Sequence, residues 1–246
     1  NPNPYQTVSK DLWVEAGKSL KENITAIGLA GSNSGVLELS TVPPVNLEER
    51  LHYLITYPHG CVEQTTSQAF AQLYLPDVMA LSPSRKSDIE NNIKRGISEL
   101  RKFQLSSGGL SYWPGMNEVS DWGTSYAGHF LFSAEKKGYT LPTGLKKDWV
   151  AYQQNIAQNY EVSREKYFNN DVQQAYRLYV LSLAGHPAMG AMNRLREYKN
   201  LSHQASWLLA SAYALAGQPD EAQKIVSGAS AQVVPYRVDY YTYGSS

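Results

Sequence analysis

The pentapeptide Leu183-Ala184-Gly185-His186-Pro187 returns as Leu215-Ala216-Gly217-Gln218-Pro219, 32 residues further on. Each glycine suits the left-handed residue that closes a helix, and each proline suits the first turn of the next helix. A period of that length is the period of a helix pair, so this part of the chain must stack helical hairpins. Ala134 to Pro142 is a looser version of the same punctuation. Further back, Ile89, Ile93, Ile97 and Leu100 recur at helical spacing. Ser84 or Ser87 is expected to cap that helix and Gly108-Gly109 to stop it. Asn46, with Glu49 as its capping-box partner, opens a helix carrying Leu47, Leu51, Leu54 and Ile55 that ends before Pro58. The next helix is expected from about Glu63 to Met79, with Pro76 in its last turns. Residues Leu12 to Val42 differ. Short runs of apolar–polar alternation, separated by Gly17-Lys18 and Gly31-Ser32-Asn33, predict β-strands too few to bury a core alone.

The single cysteine, Cys61, lies in Tyr57-Pro58-His59-Gly60-Cys61-Val62-Glu63-Gln64-Thr65-Thr66. Cysteine and glutamine at i and i+3 share one face of a helix. A thiolate placed there reaches the carboxamide carbon, and the product is an internal thioester with ammonia lost. A thiolate leaves far more readily than an amide nitrogen, so the Gln64 carbonyl would be open to amines and hydroxyls. The chemistry is nucleophilic acyl transfer with the protein as acyl donor, once per molecule. Two other readings of Cys61 stand beside it. One is an inert, buried apolar cysteine in a helical-repeat protein-binding module, since open tetratricopeptide solenoids share this period. The other is a cysteine-dependent α/α-toroid enzyme with His59 or His129 as base. Glu63 would start the helix favourably as an N-terminal acid.

Gly108 to Gly123 carries Tyr112, Trp113, Met116 and Trp122 in a Gly-rich loop. A loop with several large aromatics either packs onto its own helices or covers something. With 22 basic and 22 acidic residues, zero formal net charge and no basic block, the chain is not a nucleic-acid binder. No apolar run is long enough to span a membrane, so direct membrane insertion by this segment is not expected. His52, His186 and His203 form no metal-ligand spacing, and no cofactor fingerprint occurs. Asn1-Pro2-Asn3-Pro4 reads as a linker or a cut end.

Gly60-Cys61-Val62-Glu63-Gln64 resembles the Gly-Cys-x-Glu-Gln thioester motif of the alpha-2-macroglobulin and complement family. Tyr57-Pro58, Thr65-Thr66, Gly35-Val36-Leu37-Glu38-Leu39 and Gly108-Gly109-Leu110-Ser111-Tyr112-Trp113-Pro114 are similar to the bacterial alpha-2-macroglobulins in particular. The resemblance spans nearly the whole chain. It implies a mainly α fold: an α/α toroid of helical hairpins, the thioester domain, over residues 46–246, expected to stop inside that domain. Residues 1–45 would be a partial CUB-like β-sandwich segment and linker.

The resemblance further implies a broad-spectrum protease trap. A protease cuts a bait segment elsewhere in the parent chain, other domains of that chain move, and a protease lysine attacks Gln64. Cys61 and Gln64 would form the thioester, with Tyr57, Pro58, Gly60, Glu63, Tyr112, Trp113 and Met116 supporting or shielding it. The chain would act as a single-use endopeptidase inhibitor and not as an enzyme, without a cofactor. Its parent would reside in the bacterial periplasm or envelope, as a lipid-anchored protein. Complement-type members carry a histidine after the Gly-rich turn. Here no histidine occurs between Gly108 and Thr124, and His129 falls in a helical stretch. The resemblance therefore implies a preference for amines over hydroxyls.

Overall fold

The computed structural model describes residues 8–35, 37, 39, 58–78, 81–161 and 170–228. The chain divides into two compact units, Asn1–Asn46 and Leu47–Ser246. In the first, the expected turns are present: Lys18 N–H donates to the Glu15 carbonyl at 3.0 Å, and Ser32 N–H to that of Leu29 at 3.2 Å. The Asn33 carboxamide reinforces the second turn, accepting from Ile27 N–H and donating to the Leu29 carbonyl. The β-strands expected over this stretch, and with them the partial CUB-like segment, are not seen among the described residues. Alternation offers an apolar face, but a strand forms only when its backbone groups pair in a ladder. Here Trp13, Ile24 and Leu29 stay exposed and no ladder joins them. Val36, Tyr57 and the helix expected over Leu47–Ile55 lie outside the described residues.

The second unit has eight helices among its described residues: α1 Val62–Val78, α2 Pro83–Arg101, α3 Asp121–Lys136, α4 Leu145–Asn159, α5 Asp171–Leu183, α6 Met189–Arg196, α7 His203–Leu215 and α8 Pro219–Gly228. The odd-numbered helices pack against one another in order, α1 on α3, α3 on α5, α5 on α7. The even-numbered ones pack outside them, each hairpin partner against its neighbour. This is the two-layer arrangement of an α/α toroid, and burial follows it. Helix α2 buries one stripe, Ile89, Ile93, Gly96, Ile97 and Leu100, as an outer helix should. Helices α3 and α5 are buried on nearly every side, from Gly123 to Ala134 and from Gln174 to Ser182.

The repeat seen in the sequence is a repeated helix ending. Gly185 N–H bonds the Ser182 carbonyl at 3.0 Å, and His186 N–H bonds that of Leu181 at 2.9 Å. Gly217 and Gln218 bond Ala214 and Tyr213 in the same way, and Gly138 and Tyr139 bond Glu135 and Ala134. These are three Schellman closures, each with a glycine at positive φ, on three of the inner helices, α3, α5 and α7. Pro219 opens α8 as expected, but Pro187 stands before the start of α6, which begins at Met189. Helix α2 is capped by Ser82, whose hydroxyl accepts from Arg85 N–H, with Pro83 at the first helical position. It ends at Arg101, ahead of the glycine pair.

Layers meet closely where side chains are small. A Cβ on Gly128 of α3 would lie 2.3 Å from the Trp149 ring of α4. The fully buried Trp149 indole then donates to the Thr124 carbonyl at 2.8 Å. The inner layer also holds a buried guanidinium, Arg177. It donates to Gln153 at 2.7 Å, to Gln174 at 2.5 Å and to Asp121 at the start of α3.

Candidate functional site

Helix α1 begins at Val62, and Thr65 N–H bonds the Cys61 carbonyl at 2.9 Å, which makes Cys61 the N-cap and Gln64 the third helical residue. In a capping box the third residue reaches back to the cap's own N–H. That bond is present: Cys61 N–H donates to Gln64 Oε1 at 3.1 Å. A thiol stands in the place a serine or threonine hydroxyl would usually fill. The carboxamide folds over Gly60, whose φ is +108°. A Cβ there would sit 2.2 Å from Gln64 Oε1 and 3.0 Å from Cδ. Glycine is thus required both for the turn and for the space its neighbour's side chain takes.

The approach to the cap is fixed from two sides. His59 N–H donates to Gln68 Oε1 at 3.1 Å, and Pro58 is buried, facing the Gly96 position of α2. Cys61 is a free thiol, 3% exposed, while Gln64 is exposed. The arrangement leaves the sulfur covered and the acyl group accessible.

The cover comes from the Gly-rich loop. Val62 N–H, one of the orphan donors of the helix start, bonds the Tyr112 carbonyl at 3.1 Å. The Tyr112 phenol neighbours the Cys61 side chain. Interaction with Cys61, then the negative charge of Glu63, holds the phenol above its ordinary pKa. The loop itself is firmly tied. Ser111 is fully buried; its N–H bonds the Phe103 carbonyl at 2.9 Å, and its hydroxyl donates to the carbonyls of Phe103 and Trp113. Leu110 N–H bonds Thr124 Oγ1, and Ser120 N–H bonds the Leu110 carbonyl, both at 2.8 Å. Bridges Gln104–Leu110 and Ser111–Val119 complete the clamp. A Cβ on Gly123 would meet Val62 at 2.5 Å, so the start of α3 presses on the same helix start.

Sequence reasoning grouped Tyr112, Trp113 and Met116 as shielding residues, and the structure separates them. Tyr112 meets Cys61, whereas Trp113 stacks edge-on against the Tyr112 ring and Met116 remains exposed. The backbone bond from Cys61 to Gln64 was not anticipated, although the capping-box spacing was there to suggest it. His129 is half-buried in an aromatic nest. Its Nδ1 lies 2.9 Å from the Tyr176 hydroxyl, its Nε2 lies 3.5 Å from that of Tyr179, and its ring meets Phe70 edge-on. Burial lowers its pKa to about 4. No group of three or more potential metal ligands occurs among the described residues. No described helix is long and apolar enough to cross a membrane.

Chemically, the cap can do one thing well. Gln64 Oε1 already faces a backbone N–H at the positive end of a helix, so a negative charge developing on that oxygen meets a preorganised donor. The sulfur belongs to the same residue as that donor.

The A-macroglobulin TED domain family model matches residues 35–227. Alpha-2-macroglobulin of Escherichia coli K12 is 34% identical over 148 residues, covering 57% of this chain and 9% of that protein. Salmonella alpha-2-macroglobulin reacted with methylamine superposes with a TM-score of 0.62 at 26% identity, covering 76% of this chain and 13% of that one. Trypsin-activated alpha-2-macroglobulin from Escherichia coli is similar in fold, with a TM-score of 0.59 at 23% identity, covering 70% of this chain and 13% of that one. The chain thus spans about a tenth of the length of the curated Escherichia coli relative.

Proposed function

The chain belongs to the A-macroglobulin TED domain family, and on that footing we propose that Cys61 and Gln64 close an internal thioester that captures amines covalently. Ring closure joins Sγ to Cδ of Gln64 and expels ammonia. Capture reverses the polarity of the event: an amine adds to Cδ, the carbon–sulfur bond breaks, and Cys61 is released as a thiol. The observation that carries this reading is the 3.1 Å bond from Cys61 N–H to Gln64 Oε1, which holds electrophile and nucleophile in one cap. Gly60 makes room for the carboxamide, Glu63 and Pro58 set the helix start, and Tyr112 covers the sulfur. Trp113 extends the cover, with Met116 at the loop's exposed side.

The thioester domain covers residues 46–246, and residues 1–45 are a flanking segment. In the parent protein, the amine is a lysine of an attacking protease, and the parent's other domains shield the bond until bait cleavage. Such a protein consumes its thioester once and is an inhibitor, not a catalyst. It works in the periplasm or envelope, where a lipid-anchored bacterial member would meet foreign proteases. The methylamine-reacted and trypsin-activated states of the similar structures support both the nucleophile class and the partner class.

Intact mass of the fresh chain, before and after methylamine, tests the chemistry, with thiol titration alongside. The expected chain is one ammonia lighter than its sequence, hides its thiol, and takes up one methylamine as the thiol appears. A chain at full mass with a free thiol and no uptake would end the thioester reading. Full mass plus the glutamine-to-glutamate difference means the bond formed and met water.

A further inference from the structure

We propose that the aromatic strip beside Gln64, built by Trp122, Tyr126 and Tyr176, is a subsite for a second positive charge on the attacking amine, so that the favoured acceptor is a lysine with another cationic group close by. The inference rests on the thioester reading above and adds to it which amines are selected. Helices α1 and α3 run side by side in the same direction. A Cβ on Gly123 would meet Val62 at 2.5 Å, the Ser67 and Tyr126 hydroxyls lie 3.1 Å apart, and the Phe70 and Phe130 ring centroids are 5.8 Å apart. Gln64 and Ser67, three residues apart, share one face of α1, and both are exposed. The strip begins there. Tyr126 stacks with Trp122 at 5.8 Å between centroids, and Trp122 with Tyr176 of α5 at 5.2 Å. At those separations the rings are offset, so π-surface stays uncovered, and Trp122 is 45% exposed.

Charge decides what the strip would hold. Neither residues 58–84 nor residues 103–135 include a lysine or arginine, whereas Glu63 and Glu118 lie within them. The one such residue of α5, Arg177, is 1% exposed and bonded to Asp121. His129, in the same aromatic nest, is neutral at pH 7, since burial lowers its pKa to about 4. These stretches therefore offer a cation rings and carboxylates, with no lysine or arginine to repel it. The nest already seats one ammonium at its far end. Lys137 Nζ lies 4.8 Å from the Tyr74 ring centroid, and Tyr74 leads through Phe70 to Tyr126. An amine must be neutral to attack Gln64, so the charge held on the strip is the acceptor's other one.

Cadaverine and n-pentylamine share a chain length and an attacking amine, but only cadaverine keeps a second ammonium. Their uptake is followed by mass and thiol release in wild type, Trp122→Phe and Trp122→Leu, on chains already shown to be one ammonia light. The two amines' own difference in basicity cancels between chains. The ratio of the cadaverine rate to the pentylamine rate should fall by about two- to fivefold in Trp122→Leu, which is what a cation at a half-exposed ring contributes. It should stay near wild type in Trp122→Phe, which keeps a ring, and shrink in wild type as salt rises. An equal ratio in wild type and Trp122→Leu would overturn the proposal. A wild-type chain at full mass that never takes up methylamine fails the thioester reading instead. In that case, or where Trp122→Leu holds no thioester, the subsite is read from the Trp122 indole N–H resonance of wild type. A shift with cadaverine that the uncharged pentanediol does not match supports the subsite, and equal shifts overturn it.

Discussion

The carboxamide oxygen of Gln64 accepts a hydrogen bond from the backbone of Cys61 at 3.1 Å, which places the acyl group and the sulfur at the two ends of one helix cap. The cap is the motif's physical content. A glutamine three residues after a cysteine is a common accident, but one that satisfies the cysteine's own N–H, over a glycine with no room for a Cβ, is a preorganised pair. What can be removed from that arrangement, and what should survive, defines the first two tests.

Gln64→Glu keeps the acceptor for Cys61 N–H and adds a negative charge to the first turn, where it is tolerated or favoured. Stability in urea should stay within about 0.5 kcal/mol of wild type. The chain should nevertheless have its full sequence mass, a titratable thiol and no methylamine uptake. A stable thioester in this variant would show that Gln64 is not the acyl donor.

Gly60→Ala attacks the cap through sterics. The added carbon would fall 2.2 Å from Gln64 Oε1, at a φ of +108° that alanine rarely adopts. Backbone strain alone costs about 1–3 kcal/mol, and the carboxamide must swing off the cap. The expectation is a destabilised chain with most molecules at full mass. Equal thioester content in mutant and wild type would mean that the folded-over carboxamide is not the reactive pose.

Gly128→Ala sets two effects against each other. Alanine gains about 1 kcal/mol of helix propensity over glycine. Its Cβ, however, would lie 2.3 Å from the Trp149 ring, itself fixed by the bond to the Thr124 carbonyl. Overpacking costs about 1–3 kcal/mol, so the net change in urea denaturation should be destabilising. A more stable variant would mean that the two layers can part freely.

The half-buried His129 predicts a pH dependence. Its folded pKa is lowered to about 4 from an ordinary 6.5 by burial, so the folded chain binds the proton less well than the unfolded one. Nothing is lost above pH 6.5; stability then falls as pH drops towards 4 and levels off below it. The ceiling is about 3 kcal/mol, and partial exposure brings it down. Denaturation of wild type and His129→Gln across that window should give curves that converge on acidification, since only wild type loses this term. Parallel curves would mean that the imidazole is not desolvated in the fold.

Much of this was legible in the chain. Helix pairs followed from a recurring glycine, because a Schellman ending is written in a handful of consecutive residues. The bond of Gln64 to the Cys61 backbone was written in the capping-box spacing, although the spacing was read as a shared helix face. The strands expected over Leu12 to Val42 did not materialise among the described residues, since a ladder depends on partners that alternation cannot specify. Ser82 was overlooked as the cap of α2 because Ser84 and Ser87 are equally good residues, and only the proline at the first helical position arbitrates. The meeting of Tyr112 with Cys61 was beyond reach for a different reason. It joins residues about fifty positions apart through a loop whose course is set by buried hydrogen bonds of Ser111 and Thr124.

Among the described residues, the contacts that shape the cap come from residues 58 to 123. Synthesis runs from the N-terminus, and domains fold as their segments emerge. The ribosome therefore delivers the described parts of the cap while half of this sequence is still to be made. On the proposed thioester reading, ring closure need not wait for α5 to α8, and the electrophile would form before the body that will carry it exists.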